Sequence, residues 1–155
     1  MKIFYLLFQW VLLLPPLIVP TQAIAQDREQ ILKHGAEIRK AFEAGDTERI
    51  KQLHHPEVIK ALGYNDLKAN REEVIAGVVG VLENYTLSFV ENEVENIFIQ
   101  DGVAIEQTRF AIQGTPKTEG NPFVFKGRTV VTYIKYEGSP TGWATIREII
   151  QPFSE

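Results

Sequence analysis

Apolar and polar positions alternate with two different periods along this chain, and the change falls near residue 86. Over Asp27–Ala44, Ile31, Ala36, Ile38, Ala41 and Phe42 recur at near-helical spacing, with Arg28, Glu29, Lys33, Glu37 and Lys40 between them. This predicts a first helix, with Asp27 as N-cap and Gly45 just past its end, where glycine adopts the left-handed conformation without a Cβ clash. Asp46 is placed to cap a second, short helix from Thr47 to about His54, stopped by Pro56. "EVIKAL" (57–62) reads as a short strand and "GYND" as a loop. Asn70 can cap a third helix through "REEVIAGVVGVLENY", with Val74, Val78, Val81 and Leu82 on one face.

From Thr86 the pattern turns to strands. "TLSFVENEVENIFIQ", "GVAIEQTRFAIQG", "FVFKGRTVVTYIKY" and "GWATIREIIQPF" are rich in Val, Ile, Thr and aromatics. Turn signals at Asp101-Gly102, "GTPKTEGNP" and "EGSPTG" separate them and predict an antiparallel meander. Helices first and strands after imply an α+β domain, its helices packed on the sheet. Several strands are apolar on both faces, which calls for a second covering layer such as another subunit.

The first 25 residues stand apart. Lys2 precedes a nearly uncharged apolar run, and Ala23–Ala25 form an Ala-x-Ala site. This reads as a secretory signal peptide (1–25) cut after Ala25, giving a periplasmic or secreted protein with no membrane segment after cleavage. An uncleaved anchor is the rival, but Gln9 and Pro15–Pro16 interrupt the run. What remains, 26–155, suits a single domain. The whole chain carries a net charge of −4, and losing Lys2 makes it one unit more acidic. That balance argues against nucleic acid as partner. The chain has no cysteine, so thiol nucleophiles and thiolate metal sites are excluded.

The order of helix, "AGD", short helix, strand, helix and a sheet ending in "GW" resembles the nuclear transport factor 2-like superfamily. Within it the likeness is to the SnoaL-like polyketide cyclase and ketosteroid isomerase-like group. The residues that carry it are "AFEAGDTERIKQLHHPEV", "DGVAIEQ", "FKGRTVVTYIKYEG" and "GWATIREI", within 27–153. The resemblance implies a cone-shaped domain of about three helices on a strongly curved antiparallel sheet, enclosing a pocket, and a homodimer through the outer face of the sheet. A gap-free match from "AGD" puts the isomerases' proton-shuttling aspartate at Leu62 and their oxyanion-hole tyrosine at Ile38. Neither residue can move a proton or donate a hydrogen bond, which argues against the usual isomerase route.

Candidate chemistry is therefore sought elsewhere. His54 is placed on the inner face of the short helix, as either a core histidine or a pocket contact, while His55 points about 100° away toward the surface. Adjacent histidines diverge, so the pair makes a poor metal site and no metal is expected. Glu106 and Glu148 are charges inside apolar strands; either is costly to bury unpaired. One of them, beside Tyr133 or Tyr64, could serve as a general base with a raised pKa. Which one faces inward depends on register, since a slip of one residue reverses the answer. Tyr64, in a loop near the expected mouth, is a further contact candidate. The expectation is a small apolar or amphipathic ligand and acid–base chemistry without a cofactor; the alternative is a non-catalytic dimeric interaction module.

Overall fold

The computed structural model describes residues 20–153. The hydrophobic run of the expected signal sequence lies outside them. Among the described residues no helix is long and apolar enough to cross a membrane.

Helix α1 spans Pro20–Ala44, α2 Thr47–Leu53 and α3 Arg71–Asn84. Asp46 accepts from the Arg49 N–H at 2.9 Å, and Asn70 from that of Glu73 at 2.9 Å, so both short-range caps form. Gly45 closes α1 at φ 68°. α1 begins seven residues before the expected cap. Pro20 suits a first helical position, and "TQAIAQ" contains nothing to stop a helix. Asp27 is thus an interior residue, paired with Lys135 at 3.0 Å.

Six strands form one open sheet in the order β2-β1-β6-β5-β4-β3. They are β1 His54–Ala61, β2 Leu67–Lys68, β3 Tyr85–Gln100, β4 Val103–Pro116, β5 Phe123–Lys135 and β6 Trp143–Pro152. β3 to β6 make the expected antiparallel meander. Two features depart from expectation. β1 runs parallel to β6, a pairing between segments far apart in sequence. The strand also begins at His54 rather than at Glu57, so α2 ends at Leu53 and His54 is its C-cap. Pro56 pushes His55 out of helical space, and pairing of His54 with Thr145 draws the chain into the sheet.

Bulges interrupt the ladders, one in β6 at Ile146 and two in β3, at Val90 and Glu95. Each adds a residue to one strand and bends it. The acidic run "ENEVEN" is this bent edge: Glu91 and Glu93 bond Arg109, and Glu95 bonds Arg128 at 2.8 Å.

The helices pack on the concave side in two clusters. Ile31 of α1 joins Ile97, Ala104, Val131, Tyr133 and Trp143. Ala41 and Ile50 join Val78, Leu82 and Leu87. Trp143 is fully buried and its indole donates to Gln30 at 3.0 Å.

Candidate functional site

Between sheet and helices lies a cavity of about 480 Å³. Its wall includes Ile38, Phe42, Leu87, Phe110, Phe125 and Ile150, so it is mostly apolar. Ile38 and Leu62, which the isomerase register assigns to catalysis, are both in this wall as hydrocarbon.

Register explains the polar groups. Directly paired residues of neighbouring strands share a face. Glu106 pairs with Val131, Val131 with Glu148, and Glu148 with Lys60. The four form one row across β4, β5, β6 and β1, all facing the cavity. At about 4.8 Å per strand the two glutamates stand roughly 10 Å apart. Both candidates therefore point inward, although strict alternation from the inward Thr145 would turn Arg147 in and Glu148 out. The bulge at Ile146 removes that conflict.

The two carboxylates have opposite surroundings. Glu106 is 3% exposed and accepts a hydrogen bond from the Thr108 hydroxyl at 2.8 Å. Burial pushes its pKa above the ordinary carboxylate value, opposed by Thr108, by the more distant Arg39 and by Tyr133. Tyr133 is buried beside it, and burial together with Glu106 raises its phenol well above the usual value. This end of the cavity thus favours bound protons. Glu148 has a side chain 15% exposed and an ion pair to Lys60 at 2.8 Å. Burial alone would raise its pKa, but Lys60, through charge and hydrogen bond, and Thr129 hold it lowered.

His54, 2% exposed, completes the second end. Its Nδ1 lies 2.7 Å from the Ile50 carbonyl, which can only accept, so Nδ1 carries the proton and Nε2 the lone pair. Burial lowers its pKa despite that bond, which keeps the ring neutral. Its register partner Thr145 also lines the cavity, and the Thr145 hydroxyl is buried without a hydrogen-bond partner. Such an orphan is uncommon in a folded interior.

Tyr64 is not part of this site. It is fully exposed in the loop after β1 and absent from the cavity wall, although Leu62 and Asp66 on either side of it line that wall. His55 also lies outside the wall, half-buried, edge-on to Tyr136 at 4.8 Å. Among the described residues no three His, Asp or Glu side chains converge as a metal site would require.

Sequence reasoning missed Arg39, Lys60, Thr108 and Thr145. Lys60 joins the site through the parallel β1–β6 pairing, which has no local signal, and Thr145 stands opposite both His54 and Tyr133 in register that the bulge at Ile146 hides. Arg39 had one: it lies four residues after Gly35, on the side of α1 that also carries Ile38 and Phe42.

No family model matches the sequence, and no curated protein matches it. Solved structures do. A conserved protein from Planctomyces limnophilus superposes with a TM-score of 0.74 at 17% identity, over 83% of this chain and 99% of that one. A nuclear transport factor 2-like superfamily protein from Salmonella enterica gives 0.70 at 12% identity, over 87% and 94%. A ketosteroid isomerase-like protein from Erwinia carotovora atroseptica gives 0.68 at 14% identity, over 82% and 96%. The chain has the fold of the nuclear transport factor 2-like superfamily.

Proposed function

We propose that this is an exported domain that binds a small apolar or amphipathic molecule in its cavity and acts on it by cofactor-free acid–base chemistry. The observation that carries the reading is the cavity itself, apolar in its wall yet holding a proton-rich end and a proton-accepting end. Tyr133 supplies a donor and Glu106 a carboxyl whose proton burial helps to hold, while His54 Nε2 and Glu148 supply acceptors. The route differs from that of the isomerases, whose acid and tyrosine positions are Leu62 and Ile38 here. A pure interaction module has no use for convergent buried polar groups, so the cavity weighs against that alternative. Titration with hydrophobic cyclic ketones in D₂O, followed by NMR, tests the reading. Binding with loss of the α-proton signal supports it. Binding without exchange in either direction removes the chemistry, and failure of every ligand to bind removes the cavity reading.

Export is supported by the sequence of residues 1–25 and by the exposure of Gln22, Ala23, Ile24 and Ala25, whose side chains a cut after Ala25 would remove. Intact mass of the protein recovered from the host exterior would show the cut. A homodimer through the convex face is supported by Ile105, Val130 and Ile149, which stand exposed there, Ile149 at 62%. Light scattering of the wild type and of Ile149→Glu checks it, with a dimer expected for the first and a monomer for the second.

A further inference from the structure

The cavity wall holds the basic side chains of Arg39, Lys60 and Lys68, and among the described residues Arg39 alone of the three makes no ion pair. Lys60 is taken by Glu148 at 2.8 Å and Lys68 by Asp66 at 2.9 Å. Arg39 forms no ion pair among the described residues; Glu37, on the same helix, is held by Arg49 at 2.9 Å. The charge of Arg39 reaches Glu106, which makes no ion pair with it, so this half-buried guanidinium keeps donors that no anion has taken, an unusual state because desolvating a charge costs free energy that a direct partner normally offsets.

Gly35 supplies a second, independent observation. It is buried in the interior of a 25-residue helix, where glycine is the poorest residue after proline. Its φ is ordinary, so no backbone conformation requires glycine. A Cβ there would point at three polar groups: Arg39 Nη1 at 3.3 Å, the Tyr133 hydroxyl at 3.8 Å and Glu106 Oε2 at 3.9 Å. The missing side chain keeps open the point on which a cation and two hydrogen-bonding groups converge.

We propose that this point is a carboxylate seat: Arg39 binds the head of an amphipathic organic acid, Tyr133 donates to it, and the acid's apolar body lies along Ile38, Phe42, Phe110 and Phe125. The inference rests on the cavity being a ligand site and names the class of ligand. A guanidinium matches a carboxylate with parallel N–H donors, and such charge-assisted bonds are about twice as strong as neutral ones. Burial raises the pKa of Glu106, which lessens its repulsion of a bound carboxylate. Glu148 is neutralised by Lys60 and adds no net repulsion at the other end.

The experiment compares calorimetric titrations of 4-phenylbutyrate and 4-phenylbutan-1-ol, which share one apolar body. The wild type is expected to bind the acid at least about tenfold more tightly than the alcohol. Arg39→Gln should erase that preference while alcohol binding survives. Arg39→Lys, which keeps the charge and loses the fork, should retain part of it. Gly35→Ala should raise Tm by about 3 °C through helix propensity yet weaken acid binding. Equal or tighter binding of the alcohol by the wild type would overturn the seat and leave the ligand cavity standing. An acid preference that persists unchanged in Arg39→Gln would also overturn it. If neither compound binds, the cavity reading falls and the seat with it.

Discussion

Glu106 and Glu148 occupy the same row of one sheet, face the same cavity and differ only in their neighbours. Glu106 has a threonine hydroxyl and a tyrosine beside it, while Glu148 has an ammonium group at 2.8 Å. The first is driven toward its neutral form and the second is held ionised. Composition therefore says little about a carboxyl group's role: the charge on the adjoining strand decides it. One cavity can then present an acid at one end and a base at the other, with the same residue type at both.

The strongest way to break this contrast is to remove the ammonium. Lys60→Met leaves Glu148 buried without its partner and should cost about 3 kcal/mol at pH 7 in urea unfolding. The sign with pH follows from the lowered pKa of Glu148. Its stabilising contribution is present above the unfolded value, near 4.3, and is lost as pH falls through the folded one. The gap between wild type and Lys60→Met should close in acid; a constant gap would mean that the ion pair is not its source.

Glu106→Gln should act in the opposite direction. Its pKa is raised on folding, so the native state binds more protons and loses stability as pH rises from the ordinary carboxylate value toward the folded one. Removing the group should stabilise the protein at pH 8 and leave it unchanged at pH 4. Thermal melts across that range, with wild type and variant parallel, would refute the asymmetry. Thr108→Val strips Glu106 of the hydroxyl that donates to it at 2.8 Å and should steepen the same decline, by about 1 kcal/mol or less. The smallest effect is expected on the outer face. Arg128→Ala breaks an exposed pair with Glu95, and its slight change in Tm should vanish in high salt. A large, salt-resistant loss there would erase the distinction between cavity and surface charge.

What could be read from the chain and what could not divides along the same line. Helix caps at Asp46 and Asn70, the glycine stop at Gly45 and the meander turns are local, and local chemistry determines them. The resemblance carried by "AGD" and "GW" adds the fold, and placed Ile38 and Leu62 where the cavity wall runs. The choice between Glu106 and Glu148 was beyond reach because it turned on a single inserted residue, Ile146, in β6. His54 moved from helix to strand yet kept its inward ring through the Ile50 carbonyl. Tyr64 stands fully exposed, because position in a loop near a mouth does not fix side-chain direction.

β3, the long strand at one margin of the sheet, bears on how copies of this chain can meet. Its sixteen residues would offer a row of free peptide groups to any neighbour, but two bulges break the row and Glu91, Glu93 and Glu95 line it. A strand added there would meet like charge and a bent template. Growth edge to edge has no natural end and produces fibres, whereas contact between two like faces closes at two. By spoiling its own margin, the chain denies a neighbour the straight template that open-ended growth requires.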